Sequence, residues 1–268
     1  MYEKTNIFKK FINSLYNIHE FPKYIKEGLG RAIVYALLLC ILCGLATGLS
    51  MSRIINKSIT EVIDTLQKDE NQFVIEDGIL DIENSPLKIQ DENTLVYIDD
   101  NITLDNKDEL NNLTLNSDSY VLMLKDGIYI YSDLFSTMKS TYNEMLMDSK
   151  IDSRSIISAV QFTSKFVLLI FIIMNVVQTI ISFLMDSLFI ALSAMFISRL
   201  FLMNFKYSQM YSLTVYAATL PMIMVVILTI TEPRVYFNGV GTLGTSLLVF
   251  FALRNIRKEI DNYIIRHK

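Results

Sequence analysis

Apolar residues gather in long unbroken runs near the start of this chain and over its second half; between them, apolar and polar positions alternate. Residues 5 to 20 have helical spacing, with Ile7, Phe8, Phe11, Leu15 and Ile18 on one face and Lys9, Lys10 and Asn13 off it. Phe21-Pro22 ends that pattern. The first long run, from Ala32 to Met51, is long enough to cross a bilayer as a helix, and helix is predicted again from Asn56 to Gln67. The pattern then changes to a period of two. Residues 73 to 82 read as strand, Asp-Gly turn, strand, and residues 120 to 131 as a second such hairpin. Leu87 to Ile89 and Leu95 to Ile98 are further short strands, and helix is predicted from Leu134 to about Asp148. Residues 156 to 203 divide into a helix from Ile156 to Met185 and another from Leu188 to Leu202, with Asp186-Ser187 as the junction. Two more apolar runs follow, Thr214 to Ile230 and Tyr236 to Leu253. The fold class is therefore an α-helical integral membrane protein of four to five transmembrane helices, with an inserted small β-rich domain (α+β overall).

Charge assigns sides to these runs. Of 28 acidic and 24 basic residues, 21 and 8 fall between positions 56 and 155, leaving 7 acids and 16 bases elsewhere. Lys4, Lys9, Lys10, Lys23, Lys26 and Arg31 precede the first run, so the N-terminus is expected in the cytoplasm and residues 54–155 outside it. Five domains follow: a cytoplasmic amphipathic interfacial segment (1–30), a first transmembrane helix (31–53), an extracytoplasmic acidic β-rich domain with helical stalks (54–155), a transmembrane bundle (156–253) and a basic cytoplasmic tail (254–268). The basic tail requires an even number of crossings, whereas the runs number five. Either part of 186 to 205 crosses incompletely, or five full crossings leave the tail outside. The location is the cytoplasmic (cell) membrane, multi-pass.

Asn175, Thr179, Ser182 and Asp186 recur at i, i+4, i+7 and i+11, with Gln178 beside them, so they form one polar stripe on an apolar helix. Such groups line a substrate path or bond neighbouring helices to each other. Pro221 interrupts the following span and is a candidate hinge. Cys40 and Cys43 sit within the first run and read as small packing residues, and the acidic domain contains no cysteine. Asp99, Asp100, Asp105, Asp108 and Glu109 cluster without the spacing of a calcium loop. Gly239, Gly241 and Gly244 match G-x-G-x-x-G inside an apolar run, where close helix packing explains them better than a nucleotide. No catalytic, cofactor or metal residues are assigned. The expected partners are the lipid bilayer and a membrane-protein partner or a homo-oligomer, with no nucleic acid.

Four stretches carry a resemblance: Phe8-Lys-Lys-Phe-Ile-Asn-Ser-Leu-Tyr16 ahead of Pro22, Gly30-Arg-Ala-Ile-Val-Tyr35, Val96-Tyr-Ile-Asp-Asp100, and residues 204 to 221, Asn-Phe-Lys-Tyr-Ser-Gln-Met-Tyr-Ser-Leu-Thr-Val-Tyr-Ala-Ala-Thr-Leu-Pro. With them the chain resembles, over nearly its whole length, a bacterial membrane family known as domain of unknown function 1189. Some members are labelled maltodextrin-utilisation proteins. The last stretch is loosely similar to the Yip membrane-protein family. The resemblance implies a gene neighbourhood beside a sugar transporter and brings no catalytic residues. The expected function is a non-enzymatic membrane accessory or scaffold protein, associated with a maltodextrin-type transporter or envelope process through the extracytoplasmic domain. The alternative is a small oligomeric transporter or channel subunit using the stripe from Asn175 to Asp186.

Overall fold

The computed structural model describes residues 6–91, 94–115, 119–132, 136–146, 150–233, 235 and 237–266. Contacts divide the chain into two compact units, Met1–Ser52 with Leu169–Lys268, and Arg53–Leu168.

The chain opens with α1 (Ile7–Tyr16) and a single turn α2 (Phe21–Tyr24), then Gly28, whose φ of +87° suits a residue without a Cβ. α3 (Leu29–Leu66) follows, 38 residues or about 57 Å at 1.5 Å per residue. In the second unit, β1 (Phe73–Glu76) and β2 (Ile79–Ile82) form the first predicted hairpin. Its turn residues, Asp77 and Gly78, both have positive φ, 54° and 75°, the backbone of a tight two-residue connection.

β3 (Leu87–Asp91) and β4 (Thr94–Asp99) pair antiparallel; α4 (Lys107–Thr114) then crosses over to β5 (Ser119–Leu124), which lies parallel to β4. Neither the crossover helix nor the parallel pairing was foreseen. Asp108 and Glu109 of the acidic cluster sit in the first turn of α4, where negative side chains oppose the helix dipole. β6 (Gly127–Ser132) completes the second predicted hairpin, and β7 (Ser136–Thr141) adds the outer strand. Residues 136–141 were expected to be helical. Here pairing with β6, Tyr129 opposite Lys139, outweighs local preference, and helix begins only at α5 (Tyr142–Leu146). The other ends of that expected helix, 134–135 and 147–148, lie outside the described residues. β8 (Ile151–Asp152) pairs with β1. The result is a three-stranded sheet, β2-β1-β8, and a five-stranded one, β3-β4-β5-β6-β7. One core joins both sheets to Ile63, Leu66 and Ile157; a second, around Leu95, Tyr97, Leu122 and Leu124, includes Leu110 of α4.

α6 (Ser153–Leu200) is one helix of 48 residues. The break expected at Asp186-Ser187 is not there. No Gly or Pro interrupts the segment, and Asp186 has a side-chain partner on another helix, Thr242. α6 ends where Leu202 turns to φ +58° and the N–H groups of Leu202 and Met203 bond back to the carbonyls of Arg199 and Ser198, a Schellman closure without glycine. α7 (Tyr207–Ala217), α8 (Thr219–Thr231) and α9 (Asn238–Arg266) finish the first unit. α7 is buried at every position from Met210 to Ala217. Small residues let the helices come together: Ala32, Ala36, Cys40 and Cys43 on α3, Ala191 and Ala194 on α6, and Ala252 on α9 all belong to this core.

Asp99 holds the β3–β4 end of the large sheet. Its carboxylate accepts from Asn101 N (2.8 Å) and Nδ2 (3.1 Å), Tyr97 OH (2.9 Å) and Ser85 Oγ (3.2 Å). Burial pulls its pKa upward, but the hydrogen bonds from Asn101, Tyr97 and Ser85 together outweigh burial and hold the pKa below the ordinary 3.8. The stability Asp99 contributes is therefore complete above 3.8 and is lost as pH falls through the depressed native value. Asp99→Ala should cost about 2 kcal/mol at neutral pH, read from chemical denaturation followed by tyrosine fluorescence. The deficit relative to the parent chain should shrink on acidification below 3.8.

Candidate functional site

α1 carries its surprise on the side that faces the bundle. The polar side chains of Lys10 and Ser14 are buried against the bundle, while the apolar Ile7, Phe8, Ile12 and Tyr16 are exposed. The reason is a counter-charge. Glu27, in the turn before α3, forms an ion pair with Lys10, and the two side chains are only 6% and 13% exposed. Tyr216 of α7 donates its hydroxyl to the same Glu27 oxygen at 2.9 Å. The Tyr216 ring lies between Tyr24 (centroids 4.4 Å apart) and Tyr35 (4.7 Å), with the Lys10 ammonium 5.8 Å from its centre. One turn along, Thr219 donates its only hydroxyl hydrogen to the Tyr216 carbonyl, so the 2.8 Å contact with Tyr35 is Tyr35 O–H donating to Thr219 Oγ1. The hydroxyls of Ser14, Tyr24 and Thr214 are buried without a hydrogen-bond partner among the described residues.

This junction ties α1, α2, α3 and α7 at one point. Three of the stretches that carry the resemblance meet in it: Lys10 comes from the first, Tyr35 from the second, and Tyr216 and Thr219 from the last. Single-residue reading missed it because Lys10 and Glu27 are ordinary charges in sequence. Its chemistry is that of a clasp: a cation, a carboxylate and a phenol saturating one another in a low-dielectric pocket.

The stripe on α6 divides. Asn175 Oδ1 accepts from Thr47 Oγ1 of α3 at 2.9 Å, and Thr179 bonds back to the Asn175 carbonyl. This contact is possible because Gly44 and Gly48 bring the α3 backbone close: a Cβ at Gly44 would stand 2.9 Å from the Val176 Cα. The Gly44-x-x-x-Gly48 spacing was the overlooked signal for it. Gln178 and Ser182 bond each other (3.3 Å) on the exposed side, and Asp186 Oδ2 accepts from Thr242 of α9 at 3.2 Å.

Pro221 is buried, and the helix breaks at Ala218, between α7 and α8. A proline at 221 has no N–H for the carbonyl of residue 217. The Pro221 ring packs where a Cβ on Gly244 would be only 3.2 Å away, and Gly241 similarly admits Val225, so the glycine pattern of α9 serves helix packing.

In the second unit a cleft of about 360 Å³ is lined by Gln67, Gln72, Arg154, Ser158 and Gln161 among others. Among the described residues no group of three His, Cys, Asp or Glu side chains is placed to hold a metal ion.

Among the described residues, four helical stretches are long and apolar enough to cross a membrane: Leu29–Leu66, Ser153–Leu200, α7 together with α8 (Tyr207–Thr231), and Gly239–Tyr263. With the two small sheets they define the class, an α+β architecture that fits a multi-pass membrane protein. The chain belongs to the family described as Protein of unknown function (DUF1189), whose model matches residues 8–253. No curated protein and no solved structure matches the chain.

The clasp yields a double-mutant prediction. Lys10→Met should cost about 3 kcal/mol, because it leaves Glu27 buried without its counter-charge. Lys10→Met with Glu27→Leu should cost less than the two single losses summed. Detergent-solubilised thermal unfolding of the four chains measures both.

Proposed function

We propose that this protein is a non-enzymatic accessory or scaffold protein of the cytoplasmic membrane, serving a maltodextrin-type sugar transporter or another envelope process through an extracytoplasmic β-rich unit. The observation that carries the reading is how the polar groups of the helical unit are used. Thr47 with Asn175, Thr242 with Asp186, and Tyr216 and Lys10 with Glu27 all join helices of one chain. These groups hold a frame together rather than line a route through it. The β-rich unit carries its own two cores and most of the acidic side chains, which supports a separate recognition role for it.

Four spans, an even number, return both basic ends to the same side, and the lysines and arginines before α3 favour the cytoplasm for that side. The transporter-subunit alternative draws on Gln178 and Ser182, which stay on the exposed side of α6.

Two measurements test the proposal. With Cys40 and Cys43 both changed to Ala, Asp108→Cys should react with an impermeant maleimide on intact cells, and Lys258→Cys only after permeabilisation; the reverse pattern would overturn the orientation. Tagged full-length chain extracted in mild detergent should return the same membrane partner in every repeat. Charge reversal at Asp108 and Glu109 should reduce its recovery, and the absence of any recurrent partner would sink the scaffold reading.

A further inference from the structure

We propose that the outward edge of α6 formed by Gln178, Ser182 and Asp186 is the seat of a second copy of this chain within the bilayer. The inference rests on the membrane reading of the fold and not on any partner of the β-rich unit.

The edge lies inside the membrane-spanning stretch. α3 carries no charge between Arg31 and Arg53, and it packs with Gly44 against Val176 and Thr179 and Gly48 against Ile172 and Asn175. The order is antiparallel. Because both helices rise equally per residue, the uncharged stretch of α3 faces α6 from about 170 to about 190. Gln178, Ser182 and Asp186 all fall within that interval, and all three are exposed. No residue of the most apolar stretch of α6 is buried. Its apolar side chains are at ease against lipid, but hydrocarbon offers a carboxylate, an amide and a hydroxyl nothing to bond.

The hydrogen-bonding capacity left on this edge is self-complementary. Gln178 Nε2 uses one hydrogen on Ser182 Oγ, and Asp186 Oδ2 is taken by Thr242. Among the described residues two donors remain, the second Gln178 N–H and the Ser182 O–H, and two acceptors, Gln178 Oε1 and Asp186 Oδ1. Copies of one chain enter a membrane in the same direction, so a two-fold axis along the membrane normal sets equal depths against each other. In such a parallel pair, residues one turn apart on facing helices touch. Each copy thus offers at the right depth the donors and acceptors the other lacks, whereas an unrelated helix would need a matching set. Met185 and Phe189, exposed at 47% and 65%, flank the edge with apolar surface.

Disulfide trapping in native membranes tests this. In the Cys40→Ala, Cys43→Ala background, Ser182→Cys should give a band of twice the chain mass under mild oxidation. Val177→Cys, also exposed but about 140° round the helix from residue 182, should not. In the background with native Ser182, Gln178→Leu combined with Ser182→Ala should lower the dimer recovered by lysine cross-linking about tenfold. Membrane-bound Ser182→Cys that stays monomeric, equal trapping at 177 and 182, or an adduct with a different protein would each overturn the proposal. Recovery of the chain in the soluble fraction would instead remove the membrane reading itself.

Discussion

The bundle depends on a buried charge having found its counter-charge. Lys10 sits on a helix whose exposed residues would make a better hydrophobic face than its buried ones, and it faces inward only because Glu27 and the Tyr216 hydroxyl meet it there. A buried ion pair gains little over a well-packed apolar replacement, but half of one is costly. Its value is therefore in specificity: α1 can dock in one rotation and at one depth. Beside it Tyr216 stacks between Tyr24 and Tyr35, on α7, which has no exposed residue from Met210 to Ala217.

The other polar groups of the helical unit follow the same economy at lower stakes. Asn175 and Asp186 each meet one hydroxyl from a neighbouring helix; Gly44 and Gly48 let α3 approach α6 closely, and Gly241 and Gly244 let α9 approach α8. Pro221 belongs with them. It ends a helix by withholding an N–H, and its ring fills the space that Gly244 leaves. The acidic residues of the β-rich unit are likewise placed by local physics, Asp99 as the centre of a loop and Asp108 and Glu109 at a helix start.

Much was legible from the chain alone, for local reasons. Runs of apolar residues long enough to cross a bilayer, an intervening period of two, and Asp77-Gly78 between two strands each express a property of nearby residues, and the helices and the first hairpin appear where those signals stand. What went unread depended on partners far away in sequence. Residues 136–141 became a strand because β6 presented an edge, β4 and β5 aligned in parallel because α4 could cross between them, and α6 runs whole through Asp186, whose carboxylate meets Thr242 of α9. The sequence by itself determined which segments are apolar, how long they are and where the chain turns, since hydrophobicity and backbone preference act over a few residues. Only the tertiary structure decided that Lys10 points inward and that the α6 stripe is shared between α3, α9 and the open face, because the worth of a polar group in an apolar setting is set by whichever group stands opposite it.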